Sequence, residues 1–325
     1  MSEGAARRVV VTDYTFPNLD RERLAAEKLG ASFEAHQCRT AAEVASAIAG
    51  ADVAVVQFAP CGAEAIAGLA PGATLLRYGI GYDNIDVAAA AARSMPVGYV
   101  PDYCIDEVAD HTVALMLSSL RKLPGLDASL RAGRWEAVAA ARPLKPFAET
   151  VVGFLGFGQI GREICRRLKP FGFQFIVADP MLDDAKAAEL GVRRVDVGTL
   201  FREADALSLN APATPETTGI VNAGTLKTMK SNAVIVNTAR GKLVNEPDLA
   251  AALTDGVIAG AGLDVFETEP LPADSPLRQA PNLILTPHAA WYSEAAIGRL
   301  QQLIADDIGA ALSGARPRRP VPGSA

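Results

Sequence analysis

The sequence predicts an α/β protein of two domains, each built on a parallel sheet with helices on both faces. Three observations carry this. Short apolar runs alternate with amphipathic segments along most of the chain, the pattern of repeated strand–helix units. The alternation breaks once, after Pro101, at a long helical stretch, and then resumes. A chain of 325 residues that is 50% hydrophobic is also large enough to bury two cores.

The elements follow from local pattern. In the first hundred residues Val9–Val11, Val53–Gln57, Leu75–Arg77 and Val97–Tyr99 read as short buried strands. Leu19–Leu29 reads as a helix closed by Gly30, and Thr40 with Glu43 forms a capping box opening a helix that ends at Ala49–Gly50. Helices at Ala63–Leu69 and Ile85–Arg93 fill the remaining gaps. Ile105–Leu120 carries a stripe of Val108, Thr112, Leu115, Met116 and Leu120, with Arg121 and Lys122 complementing its C-terminal dipole. A loose stretch from Gly133 to Glu149 leads to six further strands: Val151–Leu155, Gln174–Ala178, Ala206–Leu209, Ala233–Asn237, Ala259–Leu263 and Leu283–Leu285. The closing helix, Ser293–Leu312, lies outside that pattern and is expected to return to the first domain. The expected domains are therefore 1–101 with 293–325, and 102–292.

Bulk properties exclude several classes. No run of 18 apolar residues is present, so no membrane-spanning helix is expected, and the N-terminus has no signal-peptide core. A net charge of −6 argues against non-specific nucleic-acid binding. Cys38, Cys61, Cys104 and Cys165 are widely spaced, with no metal-type cluster, and read as reduced thiols of a cytoplasmic protein. Arg316, Arg318 and Arg319 sit in a proline-rich tail expected to be solvated and disordered.

The chemistry begins at a glycine turn. Val151–Leu155 runs directly into Gly156-Phe157-Gly158-Gln159-Ile160-Gly161, and a helix-like segment follows. The first glycine permits the tight turn, the second lets a pyrophosphate approach the backbone, and the third lets helix and strand pack closely. Asp179 ends the next strand, 18 residues past Gly161 and close to the ~20 expected for a ribose-binding acid. A carboxylate there accepts from the ribose 2′-OH and repels a 2′-phosphate, which favours NAD over NADP. An Asp-Pro strand terminator is the plainer reading of the same residue.

Three further residues end strands of the second region. Arg240, in Asn237-Thr238-Ala239-Arg240-Gly241, can hold a carboxylate through two parallel charge-assisted hydrogen bonds. His288 follows Leu283–Leu285 in Thr286-Pro287-His288-Ala289-Ala290, and Glu269 lies on the preceding strand's loop. A carboxylate beside an imidazole favours its protonated form, which suits a general acid delivering a proton to a ketone. The other two histidines, His36 and His111, read as structural.

These stretches, together with Gly79-Ile80-Gly81-Tyr82-Asp83-Asn84-Ile85-Asp86, Val108-Ala109-Asp110-His111 and Gly262-Leu263-Asp264-Val265, resemble the D-isomer-specific 2-hydroxyacid dehydrogenases over nearly the whole chain. Pro287-His288-Ala289-Ala290-Trp291-Tyr292-Ser293 is most similar to the C-terminal-binding-protein branch of that family. The resemblance implies a Rossmann dinucleotide-binding domain inserted in a flavodoxin-like substrate domain, with the active site in the cleft between them. It implies that Arg240 binds the substrate carboxylate and oxo group, that His288 is the acid/base, and that Glu269 orients and charges it. It places Arg77, Tyr78, Gly79, Ile80, Gly81 and Trp291 about the substrate. Asn210, Ala211, Pro212, Thr217, Thr238, Ala239, Asp264 and Ala290 would line the cofactor groove, with Asp264 at the nicotinamide carboxamide. Trp291, as an apolar wall, suggests a substrate tail that is apolar or thioether; a core tryptophan bridging the domains is the alternative.

The implied reaction is NAD(H)-dependent reduction of a 2-oxo acid to a D-2-hydroxy acid, and its reverse, by a homodimer. The alternatives are an NADH-sensing binding protein of corepressor type and a phosphite dehydrogenase. Formate oxidation is disfavoured because Glu269 stands where that branch has glutamine. Phosphoglycerate oxidation is disfavoured because no regulatory domain follows Ala325 and the pocket loop has no obvious phosphate cluster.

Overall fold

The structure, a computed structural model, describes residues 7–324, which form two compact units: residues 7–104 with 293–324, and residues 105–292. The fold is α/β, with one parallel sheet of five strands and another of seven.

The first unit contains β1 (Arg8–Val11), β2 (Ser32–Ala35), β3 (Val53–Val56), β4 (Thr74–Arg77) and β5 (Val97–Gly98), in the order β2-β1-β3-β4-β5. That is the flavodoxin-like order. The inner strand β3 is a run of four buried residues, as expected of a parallel strand covered on both faces. β2 has no such run. Its Ser-Phe-Glu-Ala is half-exposed at the sheet edge, which is why hydrophobic pattern alone missed it. The capping box is present, with the Glu43 amide donating to Thr40 Oγ1 at 3.3 Å and the Thr40 amide to Glu43 Oε2 at 3.0 Å. Helix Glu294–Leu312 packs against helix Asp20–Glu27 of this unit.

The tail differs from expectation. Instead of lying free in solvent, it pairs with the edge of this sheet: the Tyr99 amide donates to Arg319 O at 3.0 Å and the Val321 amide to Val97 O at 2.7 Å. Val321 is 1% exposed, and Arg318 grips Asp102 with both terminal nitrogens. Proline composition reads as disorder, yet proline also holds the extended backbone that an edge pairing uses.

The second unit contains β6 (Val151–Leu155), β7 (Gln174–Ala178), β8 (Arg193–Arg194), β9 (Ala206–Leu209), β10 (Val234–Asn237), β11 (Gly260–Leu263) and β12 (Leu283–Leu285). Their order is β12-β11-β10-β9-β6-β7-β8. Counted from β6, this is the Rossmann order 3-2-1-4-5-6 with a seventh strand added. Helix Ile105–Leu120 packs on β10 and β11 and against helix Gln159–Leu168. A Cβ at Gly262 would stand 3.1 Å from Leu115 Cβ, so the glycine in β11 sets how closely that helix lies. The stretch read as loose holds a short helix, Ala137–Ala141, and a 3₁₀ turn, Phe147–Glu149. Among the described residues no helix is long and apolar enough to cross a membrane.

Register decides where the candidate site falls. Ala178, Leu155, Leu209, Asn237, Leu263 and Leu285 form one row across the sheet. The residue after each is Asp179, Gly156, Asn210, Thr238, Asp264 or Thr286. Residues widely separated in sequence thus share one rim, the carboxyl edge where open α/β sheets bind ligands.

Candidate active site

The three glycines of the turn do different physical work. Gly156 has φ 85°, and a Cβ there would lie 2.8 Å from the Ala211 amide nitrogen, so neither conformation nor space admits another residue. Gly158 is the N-cap of helix Gln159–Leu168, and a Cβ there would meet nothing within 4 Å. A Cβ at Gly161 would sit 3.0 Å from Gly156 O, so this glycine allows the helix to close on the turn. An open backbone at a helix N-terminus, with exposed Gly158 and Gln159, fits a dinucleotide pyrophosphate. Ile160 is half-buried, and the Phe157 side chain is buried.

Asp179 Oδ2 accepts the Phe157 amide at 2.6 Å, and Oδ1 accepts the Met181 amide at 2.7 Å. The acid therefore stands at the glycine turn, fixed in orientation. Arg162 donates through Nε to Phe157 O at 3.0 Å, bracing the same turn. Across it, the Asn210 amide donates to Leu155 O at 2.8 Å, and the Thr217 hydroxyl donates to Pro212 O at 2.6 Å. Those bonds tie Asn210, Ala211, Pro212 and Thr217 into one ordered loop.

The Arg240 loop is built by Asn237, which is buried. Its Nδ2 donates to Arg240 O at 2.8 Å, and its Oδ1 accepts the Ala239 amide at 3.0 Å. Gly241 packs so closely on Phe266 that any Cβ would overlap its backbone, which brings the Arg240 loop against the one carrying Glu269.

Glu269 is held at both oxygens. Oε1 accepts the Phe266 amide at 2.9 Å, and Oε2 lies 2.7 Å from His288 Nδ1. Burial pushes this carboxyl up, but the hydrogen bond and charge of His288, the Phe266 amide and the Arg240 charge together hold it below the usual carboxylate range. Both side chains remain about one-third accessible, 33% for Glu269 and 32% for His288. Nδ1 is thus the ring nitrogen that Glu269 engages.

His288 has φ 51°, the left-handed region that non-glycine residues rarely adopt. Asp264 holds it there. The His288 amide donates to Asp264 O at 2.8 Å, and the Ala289 and Ala290 amides donate to the Asp264 carboxylate at 2.9 Å each. Thr286 Oγ1 adds a bond of 2.6 Å. Asp264 is 0% exposed, so the expected contact with a nicotinamide carboxamide needs correction. Buried polar oxygens need hydrogen-bond donors, and here those donors are the loop itself. Trp291 is half-buried, edge-on to Tyr292 at 5.9 Å.

In the first unit, Gly79 follows β4 with φ 126°, and half-buried Ile80 and Gly81 come next. Arg77 lies over the Phe58 ring at 6.0 Å and donates to Tyr78 O. The expectation for Tyr78 is corrected: it is 1% exposed, edge-on to Phe16, and its hydroxyl donates to buried Glu22 at 2.9 Å. Strand alternation explains this, since the residue after Arg77 must face the opposite side of the sheet.

Sequence reasoning also missed a partner of the site. His111, read as structural, places Nε2 at 3.0 Å from Thr286 Oγ1 and 3.6 Å from Asp264 Oδ1. A histidine inside a helix gives no local sign of a neighbour 175 positions away.

Residues 113–290 match the family model described as D-isomer specific 2-hydroxyacid dehydrogenase, NAD binding domain. A glyoxylate reductase from Korarchaeum cryptofilum is 38% identical over 71% of this chain and 70% of its own. A D-3-phosphoglycerate dehydrogenase from Mycobacterium tuberculosis is 39% identical over 73% of this chain, which spans only 44% of that relative's length. Among solved structures, the NADPH-dependent glyoxylate/hydroxypyruvate reductase of Sinorhizobium meliloti superposes with TM-score 0.83 at 31% identity, over 98% of each chain. The chain belongs to the D-isomer-specific 2-hydroxyacid dehydrogenases. It is an oxidoreductase of CH–OH donors that uses a nicotinamide dinucleotide to interconvert 2-oxo acids and D-2-hydroxy acids. These relatives are named for glyoxylate, hydroxypyruvate and phosphoglycerate chemistry, rather than for the C-terminal-binding-protein branch.

Proposed function

We propose that this protein is an NADH-preferring reductase of small 2-oxo acids, with glyoxylate and hydroxypyruvate as the first candidates. The observation that carries the reading is the 2.7 Å pair of His288 Nδ1 and Glu269 Oε2, on a loop next to that of Arg240. When bound, the nicotinamide supplies or accepts the hydride at the substrate's C2. Arg240 clamps the carboxylate and the oxo group with its planar guanidinium. His288, as imidazolium, delivers the Nε2 proton to the oxo oxygen as negative charge develops there, and Glu269 holds the ring's tautomer and orientation. In the reverse direction neutral His288 takes that proton. Trp291 is the proposed apolar wall beside the substrate.

The preference for NADH rests on Asp179, whose charge at the ribose position would repel a 2′-phosphate. A homodimer is supported by an exposed apolar segment: Leu123, Leu130, Trp135 and Val138 are 52%, 55%, 89% and 73% accessible. The thiols of Cys38, Cys61 and Cys165 form no disulfide, which suits a cytoplasmic location.

The direct test is NADH consumption with glyoxylate, hydroxypyruvate, pyruvate, phenylpyruvate and thioether-tailed 2-oxo acids. Turnover should be fastest with glyoxylate and hydroxypyruvate. Flat traces across the panel would reject the reading.

A further inference from the structure

Two consecutive residues of helix Ile105–Leu120 reach two different loops of the rim. Thr112 Oγ1 lies 2.7 Å from Thr238 Oγ1, at the head of the Arg240 loop. His111 Nε2 lies 3.0 Å from Thr286 Oγ1, at the head of the His288 loop. The donors can be assigned. Thr112 donates its one hydroxyl proton to Val108 O at 2.7 Å, so Thr238 must donate to Thr112. Thr286 donates to the Asp264 carboxylate at 2.6 Å, so His111 Nε2–H must donate to Thr286.

We infer that His111 and Thr112 are positioning residues, which set the separation of the Arg240 and His288 loops and hold the His288 ring on Glu269. The geometry demands some such device. The two loops leave β10 and β12, which do not pair directly because β11 lies between them. At the ordinary strand spacing their ends stand about 10 Å apart. Nothing in the sheet ladder fixes how the chain turns beyond those ends, and His288 sits in a strained left-handed conformation. The helix supplies a further constraint from outside the loops. Its close seat on β11, with Leu115 over Gly262, makes it a rigid base, and adjacent residues reach one loop each. The His111–Thr286–Asp264 chain ends on the carboxylate that caps Ala289 and Ala290, so a change at His111 is transmitted to the His288 backbone. This deepens the proposed function, since it rests on Arg240 and His288 acting on one substrate.

The test uses Thr286→Val, which keeps shape and removes the relay hydroxyl, with Thr286→Ser as the conservative rescue. His111→Ala and His111→Gln form a second pair, because glutamine can still donate to Thr286. Two readouts are taken on the full chain: the downfield proton-NMR resonance of the His288 Nδ1–H bonded to Glu269, and glyoxylate reduction alongside NADH affinity. Only three histidines are present, so assignment is direct. Thr286→Val and His111→Ala should broaden or lose that resonance and lower kcat about tenfold, the effect of roughly one lost hydrogen bond, with NADH affinity little changed. Thr286→Ser and His111→Gln should restore both. An unaltered resonance in folded Thr286→Val and His111→Ala would overturn the inference. A wild-type enzyme that reduces no 2-oxo acid, but whose resonance responds as described, would overturn the proposed function and leave the brace standing.

Discussion

Glu269 Oε2 and His288 Nδ1 lie 2.7 Å apart, on loops that leave neighbouring parallel strands. Neither loop alone holds this pair. Glu269 is oriented by the Phe266 amide, while His288 is held in a left-handed conformation by the buried carboxylate of Asp264. The acid and its counter-charge are thus anchored in backbone, on opposite sides of their hydrogen bond.

Arg240→Ala should lower kcat/KM for glyoxylate by about 10²–10³-fold, because it removes a preorganised donor to developing charge. NADH affinity, read by fluorescence titration, should change only a few fold. Arg240→Lys should recover little, since lysine lacks the planar fork. Intact turnover in either variant would remove Arg240 from the site.

The glycine turn separates two effects that often travel together. Gly156→Ala should lower the Tm and NADH affinity together, because φ 85° and the nearby Ala211 amide leave a Cβ no place. Gly158→Ala has open space, so its Tm should stay near wild type while NADH affinity falls. Thermal melts with and without NADH distinguish the two. Equal melting losses would mean that Gly158 is structural too.

Asp179 should make NADPH the poorer cofactor. Asp179→Ser should narrow the ratio of kcat/KM for NADH to that for NADPH by removing the repelling charge. Because Asp179 also accepts the Phe157 amide, the variant should lose about 1–3 kcal/mol of stability, to be measured by urea unfolding. Equal kcat/KM for both cofactors in the wild type would contradict the assignment.

Much of this architecture is readable from residues in order. Buried valine and leucine runs mark the inner strands, Thr40 with Glu43 marks a helix start, and Gly156 to Gly161 marks the turn. The features that stayed hidden have physical reasons. β2 is a half-polar edge strand with too little apolar surface to stand out. Arg318 and Val321 look like solvated tail until a sheet edge and Asp102 are there to receive them. Tyr78 looks like part of the substrate loop until the pleat turns it onto Glu22. His111 takes its meaning from Thr286, a contact that exists only once the sheet has formed.

Trp135, 89% accessible beside Val138 and Leu130, should be covered by a second copy. Trp135→Glu should shift the protein from dimer to monomer in sedimentation velocity. A wild type that runs as a monomer at micromolar concentration would refute this.

The central claim is that Glu269 charges His288, and the pH dependence of kcat/KM for glyoxylate reduction tests it most directly. Glu269 is held ionised below the usual carboxylate range, so its negative charge is present throughout the working range and favours the imidazolium. The stability it gains from this is full above the unfolded carboxyl pKa and is lost as pH falls through the lowered one. In Glu269→Gln the counter-charge to the imidazole is gone, and the alkaline limb should move to lower pH, with a lower plateau. An alkaline limb at the same pH in both enzymes would contradict the pairing on which the whole account depends.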